Sequence, residues 1–302
     1  MDILEDTCGI GNRDAHVVEY DGCANFMKGA IETADKITTV SPTYASEILD
    51  PWFSHGLDGL LRQKQYKLCG ILNGIDVEAN NPATDPNIAQ NYDVDSFAEG
   101  KAACKAALQD RMGLNKDGSP IMAMVTRLVG HKGLDLVRSV AEGLLQQGIE
   151  LVVLGSGEAG YEAFFNELCA RHPGRVGVYI GFNTALAQQI YAGADIFLMP
   201  SRSEPCGLSQ MVACRYGTIP VVRETGGLRD SIHDSGDGYG NGFTFANYNA
   251  HELYEACWRA KEGYWKKDGW PILVRRAMEC DFSWANSAKS YEGLYNEVVN
   301  LW

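Results

Sequence analysis

Leu198-Met-Pro-Ser-Arg-Ser-Glu-Pro-Cys-Gly-Leu-Ser-Gln210, followed closely by Arg223-Glu-Thr-Gly-Gly227, decides the fold. The apolar run Ile196–Met199 reads as a strand, and it enters a loop whose only acid is Glu204. Gly207 then opens a helical pattern in which Met211, Val212 and Cys214 are spaced to face a core. A carboxylate at the C-terminal end of a strand accepts hydrogen bonds from sugar hydroxyls, and the unpaired N–H groups of the next helix attract phosphate. Residues 218–222 predict a second strand with the same sequel, since Thr225, Gly226 and Gly227 place backbone amides ahead of another helix. Two such turns are suited to grip one diphosphate sugar.

Outward from this stretch, short apolar runs alternate with amphipathic ones. Strands are predicted at Ile121–Val125, 150–154 and Val176–Ile180, with helices near 133–147 and 161–171. That alternation implies an α/β fold, a doubly wound parallel sheet with helices on both faces. Such sheets bind ligands at the C-terminal ends of their strands. Arg127, Gly155, Phe182, Glu204 and Thr225 each follow a predicted strand and are expected on one rim. Upstream, the pattern predicts a helix near 25–34, a strand at 36–40, a helix near 42–48 and a helical region over 96–114. A last helix is predicted over 283–301, with Ala288, Tyr291, Leu294, Tyr295 and Val298 at helical spacing behind Ser283 as its cap.

The 302 residues, 45% of them hydrophobic, suffice for about two domains. A net charge of -13 disfavours nucleic acid or an anionic membrane surface as partner. The start, Met1-Asp-Ile-Leu-Glu-Asp, has no basic or apolar run, and no stretch approaches the roughly 20 apolar residues of a membrane span. A cytoplasmic protein is expected. Nine cysteines without a C-x-x-C pair suit reduced thiols, and six histidines show no metal spacing, so neither a metal nor a cofactor is expected. Asp93-Val-Asp95 has the form of a D-x-D metal motif but sits in a polar connection, where solvated loop and helix-start acids are the expected reading.

Arg127 and Lys132 stand five apart in a glycine-containing loop that leads into a helix. The helix dipole repels cations there, so an anion is expected to compensate, unless both are merely solvated. Glu204 alone reads equally well as an acid favoured by a helix start, while for Ser209 and the glycines, whose alternative is an ordinary turn, the two matched turns favour anion binding.

The motifs resemble those of the bacterial glycogen synthase and plant starch synthase family. Besides the opening stretch, the resemblance covers Thr38-Thr-Val-Ser-Pro-Thr-Tyr-Ala45, Gly70-Ile-Leu-Asn-Gly-Ile-Asp76, Arg127-Leu-Val-Gly-His-Lys-Gly133, Leu154-Gly-Ser-Gly157, Tyr191-Ala-Gly-Ala-Asp195 and Asp281-Phe-Ser-Trp284. It implies a GT-B glycosyltransferase, with a remnant of the N-terminal acceptor domain at 1–75, a Rossmann-like donor domain at 76–282 and a helix crossing back at 283–302. The implied reaction moves glucose from ADP-glucose to an α-1,4-glucan, glycogen or starch, with retention, in the cytoplasm or, for a plant or alga, the plastid. By resemblance Arg127 and Lys132 neutralise the departing diphosphate and Glu204 holds the donor glucose, helped by amides near Cys206, Gly207 and Leu208. Ser209, Thr225, Gly226 and Gly227 would bind phosphate, and Asn73 would reach the donor from the link between domains. Phe182 stands where the family usually has a tyrosine stacking on adenine, with Tyr191 in the adjoining helix; for both, core packing is the alternative. Val212 replaces the second acid of the wider E-x7-E pattern, which the glycogen synthase branch also lacks. The family's K-x-G-G-L motif does not occur, so a truncated chain carrying the donor half is expected. The alternatives are a nucleotide-sugar-binding fragment without catalysis, or a related retaining GT-B transferase using a UDP- or GDP-sugar.

Overall fold

The computed structural model describes residues 4–300. Residues 1–3, part of the start read above, and 301–302, at the end of the expected last helix, lie outside the described residues. In chain order the strands are β1 (Glu19–Tyr20), β2 (Cys23–Ala24), β3 (Ile37–Thr39), β4 (Leu68–Gly70), β5 (Ile121–Val125), β6 (Glu150–Gly155), β7 (Val176–Ile180), β8 (Ile196–Met199), β9 (Ile219–Arg223) and β10 (Phe243–Phe245).

Strands β5 to β10 form one sheet in the order β10-β9-β8-β5-β6-β7, and every pairing in it is parallel. These strands are apolar on both faces because helices cover both, so their side chains need no period-two alternation. The Leu134–Gln146 helix, for example, buries Leu134, Val137, Ala141 and Leu144 along one stripe. Numbered within the sheet, this order is the doubly wound 3-2-1-4-5-6, and its direction reverses between β5 and β8. The crevice outside those two strand ends is where such a fold binds ligands.

The strands and helices expected from the alternation are present with ends shifted by one or two residues. Strand β9 begins at Ile219 instead of 218, because the Thr218 amide closes the preceding turn on Ala213 O (2.9 Å) and its buried hydroxyl donates to Ala194 O (2.8 Å). The reading of the sequence missed β10 and the Ala250–Tyr264 and Gly269–Met278 helices beside it. Phe243-Thr-Phe245 is too short to show a period.

The N-terminal residues build a smaller layer. Asn25 accepts the Lys28 amide (3.0 Å) to start the Phe26–Thr33 helix, and Ser41 accepts the Tyr44 amide (3.0 Å) to start Pro42–Glu47. Strand β3 pairs with β4 in parallel, and Ile31, Leu57, Leu60 and Leu61 form a cluster of their own beside the main core. Two chain segments connect this layer to the large sheet side by side: the Ile75 amide donates to Phe282 O (2.8 Å), and a Cβ at Gly74 would lie 2.4 Å from the Trp284 backbone nitrogen. Only glycine allows that crossing. The final helix, Trp284–Val299, buries no side chain and touches the N-terminal layer through the Lys36–Glu297 pair (2.8 Å). Among the described residues no helix is long and apolar enough to cross a membrane.

Candidate active site

At the reversal point between β5 and β8, Lys132 Nζ donates to Glu204 Oε2 at 2.6 Å, and Ser201 Oγ donates to the same oxygen at 3.0 Å. Backbone geometry brings the two loops together. Gly133, at φ 76°, leaves no room for a side chain, since its Cβ would sit 2.0 Å from Pro200 O. The pair is largely withdrawn from water, with Lys132 and Glu204 side chains 17% and 10% exposed. A lysine placed against the helix dipole is therefore compensated by the carboxylate of the facing loop. Arg127 lies on the same rim, exposed, just after β5. Burial, then the Lys132 and Arg127 charges, hold the intervening His131 below the usual imidazole range.

The start of the Ser209–Arg215 helix supplies donors beside this pair. Among the described residues, no protein acceptor takes the N–H of Cys206, Gly207, Leu208 or Ser209. The carbonyls of this loop are held instead. Buried Gln210 donates from Nε2 to Cys206 O (3.2 Å), Gly207 O (2.9 Å) and Ser231 Oγ (3.0 Å), which fixes the loop's backbone. Gln210 was quoted in the opening stretch but given no role; its position one residue inside the helix was the available signal.

Thr225, Gly226 and Gly227 correct the sequence reading, because their donors are already used. Thr225 Oγ1 and the Gly226 amide both donate to Glu47 Oε1 (2.8 and 3.0 Å), and the Gly227 amide donates to Glu204 O and Pro205 O (3.1 Å each). The glycines serve close approach: a Cβ on Gly226 would lie 2.1 Å from Glu204 O, and one on Gly227 would lie 2.2 Å from Cys206 O. This second turn braces the loop that carries Glu204 and offers no free amides to a phosphate.

Tyr191 is a second correction. Its ring is buried against Phe197 (centroids 5.2 Å apart) and Tyr216 (6.2 Å), and burial raises its pKa to about 12. Its backbone carbonyl accepts from the buried Thr218 hydroxyl, so the residue belongs to the core beneath the site. Phe182, in contrast, is 91% exposed. It lines a cavity of about 240 Å³ with Arg127, Gly155, Ser156 and Asn183, at or just beyond the C-terminal ends of β5, β6 and β7. A Cβ at Gly155 would meet Thr126 O at 1.9 Å, so the cavity floor also depends on a glycine. A larger cavity, about 590 Å³ beside Trp258 and Trp270, lies at the β10 edge and includes none of these residues.

Asn73 lies in the crossing segment, and its backbone amide partly offsets the burial that raises the Cys206 thiol's pKa. Asp93 accepts the amides of Asp95 and Ser96 (3.0 Å each) and leads into the Phe97–Met112 helix, while Asp95 pairs with Arg275 at 3.0 Å. Both acids have structural partners.

A Rossmann-like half with a cation–carboxylate pair and free helix amides at its reversal point is the donor-site architecture of a glycosyltransferase. The group 1 glycosyl transferase model matches residues 108–267, and the chain belongs to that family. The starch synthase catalytic domain model matches residues 1–63. Within this class the resemblance to glycogen and starch synthases holds over the whole chain. It is 48% identical over 303 residues to a glycogen synthase of Bacillus cereus, covering 99% of this chain and 63% of the relative. It is 49% identical over 302 residues to one of Geobacillus thermodenitrificans, covering 98% and 62%. The chain thus spans under two thirds of the length of these relatives. In three dimensions it matches the catalytic domain of starch synthase IV from Arabidopsis thaliana bound to ADP and acarbose, with a TM-score of 0.88 and 37% identity over 96% of this chain and 61% of that one. A sucrose-phosphate synthase from Thermosynechococcus elongatus, 18% identical with a TM-score of 0.61 over 97% of this chain and 67% of that one, shares the fold. The fold is GT-B, as the motifs implied.

Proposed function

We propose that the chain carries the nucleotide-sugar half of an ADP-glucose-dependent glucan synthase, which adds glucose to the non-reducing end of an α-1,4-glucan with retention. The observation that carries this reading is the Lys132–Glu204 contact at the reversal point, flanked by the unpaired amides of Cys206 to Ser209. In this reading Glu204 accepts from the donor glucose hydroxyls. Lys132, Arg127 and the amides stabilise the charge that develops on the departing diphosphate, which is the role a metal ion takes elsewhere. As the bond from the anomeric carbon to the diphosphate oxygen breaks, the acceptor 4-hydroxyl oxygen bonds to that carbon on the same face and its proton passes to the diphosphate. Phe182 offers a stacking face for adenine without a tyrosine hydroxyl. The name of the starch synthase IV structure, with its ADP and acarbose, supports both the nucleotide and the glucan class.

Residues 1–75, 76–282 and 283–302 serve in this proposal as the acceptor-side layer, the donor domain and the returning helix. Free thiols at all nine cysteines suit a reducing, cytoplasmic setting.

Nucleotide competition tests the donor assignment. ADP and ADP-glucose are expected to bind more tightly than UDP-glucose or GDP-glucose in calorimetric titrations of the 302-residue chain. Equal or tighter binding of UDP-glucose would remove the case for the glycogen synthase branch.

A further inference from the structure

Glu47 lies just beyond the 38–45 motif, in the N-terminal layer, yet its carboxylate sits on the donor side. Its Oε1 accepts from Thr225 Oγ1 and the Gly226 amide, 178 and 179 residues away. The helix that delivers it, Pro42–Glu47, is anchored one turn earlier, where Thr43 donates from its amide and hydroxyl to the two oxygens of Asp230 (2.9 and 2.6 Å). The capped turn passes the constraint on directly, because the next amide, Gly227, holds the Glu204 and Pro205 carbonyls. Thr225 is fully buried, so a vacated turn would strand a buried hydroxyl and an amide.

The second carboxylate oxygen strengthens the case. Glu47 Oε2 is buried and has no hydrogen-bond partner, and so is Arg223 Nε, whose guanidinium holds Arg202 O (2.6 Å) at the other end of the donor loop. A carboxylate oxygen buried without a partner is costly to keep for packing alone. The field of Glu47 also favours the charged form of Arg223, which grips the loop after β8, against the burial that disfavours it.

We infer that Glu47 is a positioning residue for the donor site: from the opposite half of the molecule it fixes the Thr225–Gly227 turn, and through it the loop that presents Glu204 and the phosphate-binding amides. The inference rests on the donor assignment above. It predicts that ligands engaging the amides of Cys206 to Ser209 depend on Glu47, whereas ligands held mainly at the Phe182 cavity do not.

Calorimetric titration with ADP and AMP of the parent chain, Glu47→Ala, Glu47→Gln and Thr43→Ala tests it. The parent must bind ADP; if it does not, the donor assignment itself has failed. Given that binding, Glu47→Ala is expected to weaken ADP about five- to tenfold, less than the loss of a direct charge-assisted contact because Glu47 acts through the turn, with AMP changed less than about twofold. Glu47→Gln retains an accepting oxygen and is expected to recover most of the loss. Thr43→Ala loosens the same helix but leaves the Glu47 contacts to the turn available, and is expected to weaken ADP clearly less than Glu47→Ala does. Parent-like ADP binding by Glu47→Ala overturns the inference, as does an equal loss in Thr43→Ala. If Glu47→Ala does not fold, Thr225→Val removes the hydroxyl at nearly constant volume: weakened ADP with unchanged AMP supports the inference, and unchanged ADP overturns it.

Discussion

Lys132→Ala is expected to weaken ADP binding by roughly ten- to a hundredfold, the equivalent of a charge-assisted contact of about 1.5–3 kcal/mol. AMP should lose less, since it lacks the second phosphate. The ammonium lies against Glu204 Oε2 at 2.6 Å in a nearly dry crevice, so little of its field is lost to solvent. The same substitution leaves the Glu204 carboxylate buried with only the Ser201 hydroxyl, which is expected to lower stability on the order of 3 kcal/mol. Thermal denaturation without ligand measures that part separately. Arg127→Ala should act in the same direction on ADP with a smaller stability effect, because Arg127 is exposed. If both variants bind ADP as the parent does, the two cations are surface charges and the site lies elsewhere.

The second large effect concerns turnover. The 302-residue polypeptide is expected to bind ADP-glucose yet elongate glycogen at least about a hundredfold more slowly than a full-length glycogen synthase. Transfer requires the acceptor hydroxyl about 3 Å from the anomeric carbon in a cleft that excludes water. The donor side supplies one wall of that cleft, and the curated relatives extend well beyond the 63% of their length matched here. The bare Trp284–Val299 helix, which buries no side chain, is consistent with further structure packing upon it. Incubation with ADP-glucose and glycogen, following ADP release and glucan growth, measures the rate. Turnover near that of a full-length enzyme would show that residues 1–302 suffice.

Much of this was legible in the sequence. Each βα unit of the large sheet pairs a buried apolar run with an amphipathic helix, and the site residues fall where those runs end. Lys132 and Glu204 were accessible for that reason: each follows a strand, and the two strands flank the reversal point. The errors share one cause, which is that local pattern does not reveal a tertiary partner. Thr225, Gly226 and Gly227 looked like free donors because Glu47, 178 residues earlier, was not visible as their acceptor. Tyr191 has the helical spacing both of a core residue and of a pocket residue, and only the positions of Phe197 and Tyr216 place it inside. Gln210 reads as one more polar residue at a helix start until its three acceptors are seen to orient the loop. Strand β10 escaped notice because three residues carry no period.

As a donor half, this chain is expected to support glucan synthesis once an acceptor half is joined to it. Joining the N-terminal part of the Bacillus cereus glycogen synthase that this chain does not match to residues 1–302, and assaying the hybrid with ADP-glucose and glycogen, tests it most directly. Glycogen-dependent ADP release with growth of α-1,4-linked chains is expected, abolished by Glu204→Ala. A folded hybrid that binds ADP but transfers no glucose, or one whose transfer survives Glu204→Ala, would contradict it.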